Sequence, residues 1–75
     1  MNNRDLNNRL LYYFRCIGDF AHKHGLTNAE AYKFLADYKG LDFIIDHYET
    51  EHTQSIEDSI DDMMIVCRRN GGLLN

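Results

Sequence analysis

Apolar residues recur at helical spacing in four blocks along this chain, and each block is followed by residues that end helices. In the first block, steps of about 100° per residue place Leu6, Leu10, Tyr13, Phe14, Ile17, Phe20 and Ala21 on one face. Asn8, Tyr12, Arg15 and Asp19 fall opposite. Gly25 supplies a left-handed stop, and His22, Lys23 and His24 suit the negative end of the helix dipole. A first helix is expected over about 5–24, as the floor of the core. The second block opens on a capping box, Thr27-Asn28-Ala29-Glu30, and carries the stripe Ala31, Phe34, Leu35 and Tyr38, which predicts a helix over 28–38 closed by Lys39-Gly40.

In the third block Asp42 is a plausible N-cap for a helix over 42–52. Ile44, Ile45, Tyr48 and His52 share one arc, while Phe43, Asp46, Glu49 and Thr50 lie elsewhere. Ser55 caps the fourth block, with Asp58 placed to complete a second capping box. A helix over 56–70 then turns Ile56, Ile60, Met63 and Cys67 inward, with Met64 and Val66 flanking. Glu57 and Asp58 at its start and Arg68 and Arg69 at its end match the macrodipole, and Gly71-Gly72 stops it before a tail over 71–75. The pattern predicts an all-α fold: one small compact four-helix domain spanning 1–75 with short connections.

Composition agrees and adds an asymmetry. The 75 residues are 44% hydrophobic and 27% charged with no proline, which suits a globular helical domain. A chain this short buries only about 60% of its unfolded surface, so its stability margin is thin. Residues 1–39 carry six Lys/Arg and four Asp/Glu, whereas residues 40–75 carry two and eight. Such an acidic second half repels phosphate backbones and anionic membranes and attracts a basic partner. The same charge excludes a helix-turn-helix reading of the second and third blocks, whose would-be reading helix holds Asp42, Asp46, Glu49 and Glu51 and no cation. No apolar run approaches the roughly 20 residues that span a bilayer, and the start Met1-Asn2-Asn3-Arg4-Asp5 lacks a signal-peptide pattern, so a cytoplasmic location is expected. Cys16 and Cys67 stand alone, outside any ligand spacing, and read as reduced buried thiols.

Chemistry-bearing side chains crowd only in His47-Tyr48-Glu49-Thr50-Glu51-His52-Thr53-Gln54-Ser55. His47 and Glu51 share a helical face, the minimum for two metal ligands, but no third ligand is signalled. No HExxH, P-loop or nucleophile elbow is present, so no catalytic residue, metal or cofactor is assigned. The structural reading is a lock: Tyr48 and His52 inward, with Thr53, Gln54 and Ser55 satisfying free N–H groups where the fourth helix begins. Tyr13, Phe14, Phe20, Phe34 and Tyr38 are expected in the core. Tyr12 and Tyr32 project from their stripes as contact candidates. Ile65, opposite the inward face, is expected to form an apolar patch with Leu73 and Leu74.

The set Leu26-Thr27-Asn28-Ala29-Glu30-Ala31-Tyr32, Gly40-Leu41-Asp42, His47-Tyr48-Glu49 and His52-Thr53-Gln54-Ser55 resembles a family of short bacterial proteins catalogued as a domain of unknown function. The most specific piece is the HYE-x-x-HTQS-like block followed by the acidic run Glu57-Asp58-Ser59-Ile60-Asp61-Asp62. The resemblance implies an all-helical fold and no assigned catalytic residue. It also implies a frequent neighbouring gene for an ADP-ribosyltransferase-like protein, in the manner of a toxin–antitoxin pair. Two functions are therefore expected in order. The first is a non-enzymatic, antitoxin-like interaction module docking an acidic surface (Asp46, Glu49, Glu57, Asp61, Asp62, with Tyr12 and Ile65) on a basic protein, homodimerisation being compatible with it. The second is a small-molecule or peptide binder with a pocket near Tyr48 and His52.

Overall fold

The computed structural model describes residues 3–74. Among them are five α-helices and no strand: α1 Asn3–His24, α2 Asn28–Asp37, α3 Gly40–Asp46, α4 Tyr48–Glu51 and α5 Ile56–Arg69. The all-α class and the short connections are as the pattern predicts. The extra element arises because the third block is broken in two.

Helix α1 lies along α2 and α5, and α3 fills the gap between α2 and α5. Their shared core is Cys16, Ile17, Phe20 and Ala21 of α1, Ala31 and Leu35 of α2, Ile44 of α3, and Ile60, Met63, Met64 and Cys67 of α5. Full burial of a side chain such as Leu35 or Phe20 stabilises by about 1.5–3 kcal/mol, which outweighs the weak propensity of helices as short as α2 and α3.

Local signals behave as their chemistry requires at the start of α2. Thr27 Oγ1 accepts from the Glu30 N–H at 3.1 Å, and Glu30 Oε1 accepts from the Thr27 N–H at 2.8 Å. This bond from the backbone holds the Glu30 carboxyl below its ordinary pKa. At α5, Ser55 Oγ accepts from the Asp58 N–H at 3.0 Å, but the expected box is only half made. Asp58 is one methylene shorter than a glutamate and does not return the bond.

Three expectations fail, each for a tertiary reason. Helix α3 starts at Gly40, not Asp42, and Lys39 takes the left-handed conformation (φ 74°) in place of the glycine. Gly40 is needed for proximity: a Cβ there would sit 2.7 Å from Cys67 Sγ and 2.8 Å from Leu35 Cδ2. Second, the helix expected over 42–52 ends at Asp46 and resumes at Tyr48, with His47 at φ −111° and ψ 24°. The two halves serve different neighbours. Ile44 enters the main core, whereas Tyr48 must turn its ring onto Tyr12 and Tyr13 of α1. Ile45, placed in the inward arc, is left half-exposed while Phe43 packs on the core.

Third, the buried face of α1 is rotated. Cys16 is fully buried and Tyr12 half-buried, whereas Leu6, Leu10 and Phe14 are exposed. Helix α2 covers only the C-terminal half of α1, and α4 meets the other half through Arg9, Tyr12 and Tyr13. The long apolar stripe therefore runs on past the elements available to cover it. At the other end, Gly72 is buried under Tyr38 and donates to the Cys67 carbonyl at 2.8 Å. Leu74 reaches the core, leaving Leu73 exposed, so the expected patch of Ile65 with both leucines does not form. Asn75 lies outside the described residues.

Candidate functional site

The break at His47 builds the corner at which α4 meets α1 and α5. Tyr48 is its centre. The Tyr48 ring meets those of Tyr12 and Tyr13 edge-on at 5.4 and 5.9 Å and stacks on His52 at 4.4 Å. The Arg9 guanidinium stands 4.4 Å above it, within cation–π range, and also pairs with Glu49 and Asp5. The space around Tyr48 is thus filled by the chain's own side chains.

His52 corrects the expectation that it points inward. Its imidazole is exposed, covering the outer face of Tyr48, and its Nδ1–H donates to the Tyr48 carbonyl at 2.7 Å. Thr53 Oγ1 donates to the Thr50 carbonyl at 2.7 Å, closing the last turn of α4. Of the three residues expected to satisfy free N–H groups where α5 begins, only Ser55 does so, while Thr53 and Gln54 donate to oxygens instead.

Two residues that pattern reasoning missed bind the corner more deeply. Ser59 is completely buried. Its hydroxyl donates to the Glu51 carbonyl at 3.0 Å and accepts from the Tyr12 hydroxyl at 2.7 Å, which joins α4, α5 and α1 through one oxygen. Tyr12, expected on the contact surface, is instead half-buried in this chain of bonds. Burial pushes its phenol up, well above the ordinary range.

Glu51 is the second, a buried carboxyl facing Asp62 of α5. The Gln54 amide nitrogen donates to both, at 3.1 Å to Glu51 and 2.8 Å to Asp62. Burial, then the hydrogen bond and charge of Asp62, push Glu51 up to about 7. The arrangement can store a proton between two carboxyls. The surrounding hydroxyls are committed to structural bonds, and the two buried thiols are held protonated by burial, Cys16 being pushed up to about 11. No group of three or more His, Cys, Asp or Glu among the described residues has metal-binding geometry.

The acidic half is partly neutralised from within. Glu49 pairs with Arg9, Lys23 reaches Asp61 at 2.7 Å and Glu57 at 3.7 Å, and Asp62 is held by Gln54. The side chains of Asp46 and Asp58 make no ion pair among the described residues. A groove of about 250 Å³ between α3 and α5 is lined by Phe43, Ile65 and Val66, with Asp62 and Arg69 beside them. A larger cleft of about 420 Å³ between α1 and α5 is lined by Asp19, His22, Lys23, Glu57 and Ile60. Neither cleft is lined by Tyr48 or His52. Among the described residues, no helix is long and apolar enough to cross a membrane.

Comparison with curated proteins and with solved structures gives no match. A family model, described as a protein of unknown function (DUF3791), matches residues 12–70, from the Tyr12 bond partner of Ser59 to the end of α5. The chain belongs to the DUF3791 family.

Proposed function

We propose that this chain is a non-enzymatic protein-interaction module, working in the cytoplasm, that docks its acidic C-terminal half on a basic protein surface. The observation that carries the reading is the groove between α3 and α5. Its floor of Phe43, Ile65 and Val66 accepts an apolar side chain or the stem of a lysine or arginine. Asp62 and Arg69 line the groove, and Asp46 and Asp58 lie on the helices that form it and make no ion pair among the described residues. Ile65 is a half-exposed apolar centre on this acidic face, the arrangement typical of interface anchors. The resemblance to bacterial proteins encoded beside an ADP-ribosyltransferase-like gene supplies the partner class. On this reading the chain is antitoxin-like and docks on a basic surface of that enzyme.

The test is copurification of the tagged chain with the neighbouring gene product, with growth rescue as a second readout. Capture should weaken as salt rises, because an acidic docking surface is screened. Asp46→Lys and Ile65→Ser should abolish capture without lowering the melting temperature. If no partner is recovered and growth is not rescued, the reading fails.

A further inference from the structure

The groove between α3 and α5 carries charges of both signs. Asp62 and Arg69 line it together with the apolar Phe43, Ile65 and Val66. Seven residues of helix are about two turns, roughly 10.5 Å along the axis, so the two charges share one face of α5 with Ile65 between them. Ile65 is 45% exposed there. Arg69 is exposed and makes no hydrogen bond or ion pair among the described residues. Asp62 accepts from the Gln54 amide, and no cation pairs with it among the described residues. Along the groove the order is therefore acid, Ile65, Val66, base, about a midpoint between Ile65 and Val66. Turned end for end, that order is its own complement.

We propose that a second copy of the chain covers this groove, the two α5 helices lying antiparallel across each other. Charge selects both the occupant and its direction. An antiparallel copy centred between Ile65 and Val66 sets Asp62 of each chain opposite Arg69 of the other, because the two residues stand equally far from that centre. It sets Ile65 of each chain opposite Val66 of the other, beside Phe43, so apolar side chains meet between two symmetric ion pairs. A parallel copy would instead stack Asp62 on Asp62 and Arg69 on Arg69. The rest of α5 agrees with the antiparallel choice. Glu57 and Asp58 lie at its start and Arg68 and Arg69 at its end, so reversal lays each acidic end on a basic one and aligns the helix dipoles favourably.

A basic surface of the kind proposed above answers Asp62 but meets Arg69 with like charge, whereas a second copy answers both. The two occupants compete for Ile65, so a basic partner binds at the expense of the pair. Self-pairing does not rest on that reading, and it is measured on the chain alone. The two-fold symmetry makes every contact twice, so one reversed charge in the sequence puts two like-charge contacts into the pair.

Sedimentation equilibrium of the chain alone, from about 5 µM to about 1 mM, reads the association. The wild-type chain should shift from monomer toward dimer across the range. Arg69→Glu and Asp62→Arg should each weaken pairing by at least about tenfold. Mixed in equal amounts, these two variants restore both ion pairs between unlike chains and should associate as wild type does. Ile65→Ser, at an exposed position outside the corner, should also weaken pairing and keep the wild-type helix content, which decides the question if Asp62→Arg fails to fold. A wild-type chain that stays monomeric throughout overturns the proposal. So does an Arg69→Glu or Ile65→Ser variant that pairs as tightly as wild type, or a mixture of folded variants no more associated than its components.

Discussion

Gly40 is where a single methyl group tests the packing most directly. It opens α3 with its Cα against α5, and the replacement Gly40→Ala would place Cβ 2.7 Å from Cys67 Sγ, 2.8 Å from Leu35 Cδ2 and 3.3 Å from the Met63 carbonyl oxygen. Cys67, Leu35 and Met63 are all 0% exposed, so none can swing aside into solvent. Overpacking of this kind costs about 1–3 kcal/mol, and the helix-propensity gain of alanine over glycine recovers at most about 1 kcal/mol. A net loss of about 1–2 kcal/mol is expected, which lowers Tm by roughly 5–15 °C in a domain of this size. Gly18→Ala is the internal control. It makes the same chemical change inside a helix with nothing within 4 Å, and it should raise stability by up to about 1 kcal/mol. Thermal and urea unfolding followed by circular dichroism measures both. A Gly40→Ala variant as stable as wild type would refute the claim that α3 is seated on α5 by contact at that residue.

Other outcomes follow from the corner. Glu51 has a folded pKa of about 7, above its ordinary 4.5, so its favourable protonated form is fully present below about pH 4.5 and lost as pH rises through 7. Stability should fall by on the order of 2 kcal/mol across that window, and Glu51→Gln should flatten the slope in a series of melts from about pH 5 to 8. Ser59→Ala removes the Tyr12 hydroxyl's Ser59 partner, leaves the Glu51 carbonyl only the Gln54 N–H, and should cost about 1–3 kcal/mol, measured by urea unfolding. Lys39→Gly relieves a left-handed residue at φ 74° and should raise stability by about 1 kcal/mol, read as a higher Tm.

What could be read from the sequence was whatever is decided within a few residues. The Thr27–Glu30 box and the Ser55 cap each need only a hydroxyl and an N–H three positions on, so both were legible. Gly40 was not, because the reason for it is Cys67, twenty-seven residues away. Periodicity locates the apolar stripe of α1 but cannot say where its covering elements stop, so Phe14 is expected in the core and is exposed, while Cys16 is buried as a thiol of its kind is expected to be. Ser59 and Glu51 were invisible for a related reason. A polar residue is buried only where partners wait, and those partners, Tyr12 and Asp62, come from other helices. The break at His47 had no glycine or proline to announce it, since it answers to two different neighbours rather than to a local signal.

The Tyr12–Ser59 bond joins residues 47 apart in sequence, and the Arg9–Glu49 pair residues 40 apart. Closing loops of that length comes after the hairpin-like packing of α1 on α2 and the neighbouring seat of α3, which need only short connections. The corner is therefore expected late in folding, on the native side of the barrier. Weakening it should leave the folding rate nearly unchanged and speed unfolding, so that α4 governs how long a folded molecule lasts rather than how soon it forms.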